Sequence, residues 1–303
     1  MKSRQIIKRG AVGTATIGPA NLAGISSPAP RSVHSAHKDA LKTRKLLSPI
    51  LACLAAAILT AFGSGPLRAA TGSGNNPGLL PPGSTPGDLS YPDWHVAYLN
   101  WIMSIPGTSN PLLNVDDDAD LTTPAPYPLW VGPFDASVGQ SGNVWFLPGG
   151  YATVVREATI PAGKTLVVPL LNHMVWGWPP VPPEAEAWMR FYVGLVLDTA
   201  EIACEIDGVP VRHIERYRHQ SPAAPVILSD NNMLGMPPGD YGMMVDDGYY
   251  LILAPLSVGA HTIHWAASMT IIPYWDPWNP APIPPFPQGS PEITYHITIV
   301  PSR

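Results

Sequence analysis

From about residue 140 onward, apolar side chains recur at every second position, in short runs broken by Gly, Pro, Asn or Asp. The runs 144–147, 152–159, 165–171, 201–206, 209–214, 249–253, 261–268 and 293–300 are rich in β-branched and aromatic residues. Each is therefore expected to be a strand. Asp207-Gly208 falls between two of them and reads as a tight hairpin, since glycine tolerates the positive φ that such a turn requires. Ser257-Val258-Gly259 is read in the same way, joining 251–256 to 261–267. Two stretches keep helical spacing instead. Trp94, Ala97, Tyr98, Trp101 and Ile102 follow Ser90-Tyr91-Pro92-Asp93, which fits a capping box, and that helix should end near Pro106. Trp188, Phe191, Tyr192 and Leu195 mark a second helix between Glu184 and Thr199, weakened by Gly194.

Short strands, hairpin turns and few helices predict a mainly β fold. The expected architecture is an antiparallel β-sandwich, immunoglobulin-like or jelly-roll-like, with one or two short helices. Of the 38 prolines, 33 follow residue 69; at that density they belong to edges and loops. There is no repeat of fixed period, and residues 90–303 are read as one domain. Residues 70–89, rich in Gly, Pro, Ser and Asn, are expected to be a flexible leader.

Residues 42–69 have a different character. Lys42, Arg44 and Lys45 precede an apolar run from Leu46 to Phe62, then small residues and the break at Gly63, Gly65 and Pro66. This is the order of a secretory signal, with cleavage expected after Gly63 or Ala69. A retained membrane anchor is the rival reading, on a run that is short for a bilayer and contains Pro49. Cys53 lies too early in the run for a lipoprotein signal. The long basic stretch ahead of an already complete signal suggests that translation begins further in, at Val33 or Leu41. A precursor peptide from residues 1–31 in a mass spectrum would refute that start.

Charge sharpens the picture. The formal net charge is −5, yet 10 of the 17 basic residues lie before position 70 against a single acid, Asp39. The remaining 7 basic residues face 21 acidic ones, which is −14 for residues 70–303. A surface so acidic, with Lys164 its only lysine, argues against nucleic acid or an anionic membrane as partner once the signal is gone. Cys204 would then be the only cysteine, so no internal disulfide is expected. Its apolar neighbours suggest a buried thiol, not a nucleophile.

A run of motifs spans residues 92–300. It includes Trp94, Trp101, Asn110-Pro111, Gln140-Ser141-Gly142-Asn143-Val144-Trp145-Phe146-Leu147, Ile160-Pro161-Ala162-Gly163-Lys164 and Leu171-Asn172. It continues with Cys204-Glu205-Ile206-Asp207-Gly208-Val209-Pro210-Val211, Tyr217-Arg218, Ser221-Pro222, Asp247-Gly248-Tyr249-Tyr250 and residues 255–264. Together they resemble a family of exported bacterial β-rich proteins that carries no assigned activity. The Asp-Gly turn and the Leu256-Ser257-x-Gly259-x-His261-Thr262-Ile263 element also resemble hairpins of immunoglobulin-like sandwich modules, which mostly bind or space. The resemblance thus implies an exported sandwich and no particular chemistry.

Candidate chemistry comes from several clusters. No Gly-x-Ser-x-Gly elbow is present, and no Ser, His and acid fall into a recognisable order. Glu184/Glu186 and Asp246/Asp247 are carboxylate pairs of the kind a glycosidase would need across a cleft. His261 and His264, three apart in a strand, should face opposite sides and so not chelate one ion together. Zinc on some mix of His173, His213, His219 and His261 is not selected by any spacing, and structural histidines are the preferred reading. Asn114, Asp116, Asp118 and Asp120 place oxygen ligands at alternate positions, as a Ca²⁺ loop does, although Leu121 stands where an EF-hand requires Gly. Arg212, Arg216 and Arg218 either neutralise nearby carboxylates or grip a carboxylate ligand.

The aromatic residues are the most suggestive. Trp176, Trp178, Tyr274, Trp275 and Trp278 stand in Pro-rich stretches that should be loops, where rigid indole rings can stack on sugars or Pro-rich peptide. The alternative for these rings is to fold back over the sandwich ends. The functional expectation is a secreted or periplasmic, non-catalytic protein that binds carbohydrate or another envelope component. A secreted glycosidase-like hydrolase with carboxylates clustered in space is the alternative, and a purely structural envelope protein is a third reading.

Overall fold

The computed structural model describes residues 76, 78–116, 129–177, 184–272 and 292–302, all within the compact unit Thr71–Arg303. Among the described residues two α-helices, α1 (Tyr91–Ser104) and α2 (Ala185–Leu197), accompany twelve strands. These are β1 (Asn114–Val115), β2 (Trp130–Val131), β3 (Val144–Phe146), β4 (Val154–Pro161), β5 (Thr165–Gly177) and β6 (Glu201–Ile206). They continue with β7 (Val209–Pro210), β8 (Arg218–Gln220), β9 (Ala224–Leu228), β10 (Gly239–Leu253), β11 (Gly259–Ser268) and β12 (Glu292–Val300).

The fold is mainly β. One five-stranded sheet runs β3-β5-β10-β8, with β9 also paired to β10; the other runs β4-β12-β11-β6-β7. Most pairings are antiparallel, but β3–β5 and β4–β12 are parallel, so the sandwich is mixed at those two edges. In β4 the side chains alternate strictly between buried and exposed, as a strand with one face on a core must. The buried faces of both sheets form one apolar cluster, with Leu166, Val168 and Leu251 from one and Ile160, Ile206, Ile263 and Ile297 from the other.

Helix α1 closes this core. Ser90 Oγ accepts the Asp93 N–H while the Asp93 carboxylate accepts the Ser90 N–H, completing the capping box. Tyr91, Trp94, His95, Tyr98, Leu99 and Ile102 are its buried face, so the helix packs against the interior side of the first sheet. Helix α2 covers the opposite side of that sheet, with Met189 and Val193 against Val245. Its buried face is turned from the predicted one: Phe191 is 67% exposed. Gly194 has a packing reason, because a Cβ there would come within 3.4 Å of Gln220 Nε2.

Several expectations change. Asp207 and Gly208 both have positive φ, as a two-residue hairpin requires, and they join β6 to β7. Ser257-Val258-Gly259 is not a hairpin, because β10 and β11 lie in different sheets and the turn carries the chain across the sandwich. Both flanking runs are buried, and a run buried on its own sheet reads alike whether its neighbour in sequence is beside it or opposite. Part of the 70–89 leader is also held in place. Ala254 N–H donates to Gly78 C=O, Leu80 N–H to Ile252 C=O, and Tyr91 Oη–H to Leu80 C=O. Leu79 and Leu80 pack on the core, which outweighs the turn-rich composition around them.

The interior also holds a cation. Arg156, on β4, is 1% exposed, and among the described residues it meets no carboxylate. Its Nη1 donates to the carbonyls of Pro148 and Gly149 and to Tyr295 Oη; its Nη2 donates to those of Pro111 and Asn114. The Phe134 ring lies 4.6 Å from the guanidinium carbon. One side chain thus fastens three loops to the second sheet, each bond charge-assisted.

Candidate functional site

The densest chemistry lies where β5, β8 and β10 meet the two helices. Asp246 and Asp247 are adjacent on β10, so their side chains leave the sheet on opposite faces. They do not form a pair across a cleft. Asp246 points inward and is fully buried. Its Oδ2 lies 2.8 Å from His95 Nδ1 and accepts from Tyr250 Oη–H at 3.2 Å; its Oδ1 accepts from Asn172 Nδ2 at 2.8 Å. Ser221 Oγ takes the Asp246 backbone N–H. Burial pushes the Asp246 carboxyl up, and the His95 and Asn172 bonds oppose that shift. Tyr250 is held well above the usual phenol range by burial and by the Asp246 charge.

The His95 ring stacks on Tyr250, with centroids 3.6 Å apart. His95 Nε2, on the far side of the ring from Asp246, is buried and meets no hydrogen-bond partner. His219, on β8, stands perpendicular to it at 6.4 Å between centroids and stacks on Tyr91. Its Nδ1 is likewise buried without a partner. Burial and the neighbouring His95 lower its proton affinity. Gly248 makes the close approach of these groups possible. A Cβ there would meet Asn172 Cβ at 2.6 Å and Leu171 O at 2.8 Å.

On the other face Asp247 receives both Nε and Nη2 of Arg218 at 2.9 Å, and Gln220 Nε2 at 3.2 Å. Arg218 also reaches Asp198 and the carbonyl of Gly194 in α2. The bonds to Asp247 hold the guanidinium above its ordinary range. Behind α2, His173 packs against Tyr192, and burial pulls it down to about 4. Its folded-state affinity lies below its unfolded one, so the neutral ring is the folded form. Stability should therefore fall as pH drops from about 6.5 toward 4, by roughly 1–2 kcal/mol at pH 5. Urea unfolding at pH 7 and pH 5 checks this, and His173→Phe should remove that share of the difference.

A Ser, His and acid come together elsewhere, at the rim. His261 Nδ1 is 2.8 Å from Asp207 Oδ2, and its Nε2 is 3.3 Å from Ser257 Oγ. The Ser257 carbonyl oxygen is closer to Nε2, at 2.9 Å. The imidazole thus bridges the two turns that carry Asp207 and Ser257. Sequence order could not foresee it, since Asp207 is 54 residues from His261. His264 lies on the outer face instead, beside Thr294 and Glu292.

The residues singled out in the sequence distribute as follows. Trp176 is half-buried at the end of β5, opposite Met244 on β10. Trp178, Tyr274, Trp275 and Trp278 lie outside the described residues, as do Asp118 and Asp120. Asn114 is buried and donates its amide to Gly132 C=O, while Asp116 is half-buried and accepts from Val155 N–H. Arg212 and Arg216 are exposed, whereas Arg218 is committed to Asp247 and Asp198. Cys204 is buried, and burial raises its thiol. Among the described residues, no three His, Cys, Asp or Glu side chains converge on a common metal position. Among the same residues, no helix is long and apolar enough to cross a membrane.

No family model and no curated protein matches the chain. A solved structure with some likeness is a cysteine protease inhibitor from Entamoeba histolytica. It is 13% identical, with 48% of this chain and 86% of that chain covered and a TM-score of 0.16. At that score the likeness carries no argument.

Proposed function

We propose that the chain is an exported, non-catalytic module of the cell envelope or extracellular space that binds carbohydrate through aromatic side chains. The observation that carries this reading is Trp176. It is the penultimate residue of a 13-residue strand, half-covered and paired in register with Met244 of the neighbouring strand. A rigid indole at the end of a sheet is the kind of platform on which the apolar face of a sugar stacks. The interior acids support the same reading, since Asp246 and Asp247 are each bound to protein partners and face apart. The basic, apolar and small-residue order of 42–69 supports export.

Sedimentation with insoluble polysaccharides tests it. The protein should pellet with at least one polymer, and Trp176→Ala should weaken retention about tenfold, the loss of one stacking platform. Equal retention of wild type and Trp176→Ala, or no retention on any polymer, would sink the proposal.

A further inference from the structure

Asn76 and residues 78–80 form an arm that touches both sheets. Asn76 Nδ2 donates to the Val209 carbonyl of β7 at 2.6 Å. Leu79 pairs with Leu253 at the end of β10, flanked by bonds from Ala254 N–H to Gly78 C=O at 2.7 Å and from Leu80 N–H to Ile252 C=O at 2.9 Å. Glycine permits this approach, because φ at Gly78 is +66° and a Cβ there would lie 3.0 Å from the Ala254 carbonyl oxygen. Leu79 and Leu80 pack on the apolar core, so an arm that leaves its place exposes apolar surface to water. The chain is fixed again at Pro86, whose carbonyl accepts Trp94 Nε1–H at 3.1 Å. Between these anchors Pro81-Pro82-Gly83-Ser84 makes a surface turn, with Ser84 N–H donating to Pro81 C=O. Among the described residues a Cβ on Gly83 would meet nothing within 4 Å, so the tip of that turn packs on nothing.

We propose that two copies of the chain exchange this arm, each copy's Leu79 and Leu80 taking the place of the other's in a two-fold dimer. An exchanged arm makes in the other copy every contact it makes at home, so the hinge and the concentration decide between the two forms. Two successive prolines favour an extended backbone over a reversal, and Pro82 has no N–H to give to a turn. Once straightened, residues 81–85 span about 17 Å, at about 3.4 Å per residue, which carries the arm clear of its own copy. The occupant of the vacated place is set by its demands. It must bring a positive φ opposite Ala254, two adjacent leucines for the core and an amide for the Val209 carbonyl. The arm of a second copy brings all three in register. This inference is independent of carbohydrate binding.

The test is disulfide trapping in the full chain with its two cysteines, Cys53 and Cys204, both replaced by alanine. The bonds flanking Leu79 and Leu253 mark a non-hydrogen-bonded antiparallel pair. Cα atoms in such a pair stand about 4.5 Å apart, within the span a disulfide bridges. One chain carries Leu79→Cys and a second carries Leu253→Cys, and the two are unfolded, mixed, refolded at high concentration and oxidised. A covalent dimer with one chain of each kind is expected on a non-reducing gel, while either variant refolded alone should give none. Absence of the mixed dimer, or as much dimer from one variant alone, overturns the proposal. Should a cysteine variant fail to fold, native mass spectrometry of the wild-type chain decides. A dimer is expected there, and Pro81→Ala combined with Pro82→Ala should raise its dissociation constant about tenfold by loosening the hinge. A wild type that stays monomeric, or a dimer indifferent to those prolines, decides against exchange.

Discussion

Arg156→Met is expected to lower the unfolding free energy by about 3–5 kcal/mol, among the largest effects of any single change in the domain. Methionine fills much of the same volume but donates nothing. Four backbone carbonyls, from Pro111, Asn114, Pro148 and Gly149, and the Tyr295 hydroxyl lose a charge-assisted donor together. The Phe134 ring loses its cation. Arg156→Lys keeps the charge without the planar fork and should fall between the two. Equilibrium urea unfolding with an unchanged slope measures both. A loss under 1 kcal/mol for the methionine variant would mean that the three loops hold themselves.

Asp246→Ala should cost about as much, 3–5 kcal/mol by the same measurement, because it strands three buried donors at once. The His95 imidazole, the Asn172 amide and the Tyr250 hydroxyl would each be left facing a cavity. Loosening should be felt first in α1, whose position on the sheet is fixed at His95. Near-UV circular dichroism, to which the buried Tyr91, Trp94 and Tyr98 of that helix face contribute, should weaken at denaturant concentrations where far-UV signal persists. Coincident transitions would show that the network contributes to stability without separately anchoring the helix.

The parts of the fold legible in the sequence are those where local chemistry and tertiary packing agree. Ser90 and Asp93 specify a helix start by themselves, and Asp207-Gly208 specifies a turn by backbone freedom alone. The alternation in 154–160 and 293–299 is the trace of a sheet with one wet face. The misreadings have a common cause. The first two thirds of β10, Gly239 to Gly248, carry three Asp and three Gly, a composition that avoids strands. It becomes the centre of a sheet only because Asp246 and Asp247 find donors on both faces. Those donors come from α1, β5 and β8, remote in sequence. His95 is 151 residues from its partner Asp246, and no spacing rule reaches that far. Strands β8 and β9 were illegible for a related reason: Pro222 and Pro225 interrupt a run whose pairing is supplied entirely by β10.

The tryptophan pattern reads as loops, whereas Trp176 lies within β5, one residue before its end. The arginine cluster leaves neutralisation of nearby carboxylates and a grip on a ligand both open, and there the structure divides the three residues. Arg218 is an internal tie between β8, β10 and α2, while Arg212 and Arg216 remain at the surface. A sequence shows how many charges a segment carries, but whether each is spent inside depends on which side of a strand it leaves.

Export is the premise on which the carbohydrate reading stands. Cell fractionation combined with amino-terminal sequencing of the recovered protein tests it most directly. The account predicts a chain outside the cytoplasm whose first residue follows Gly63 or Ala69. An intact polypeptide that retains the 42–69 segment and partitions with cytoplasmic proteins would contradict it.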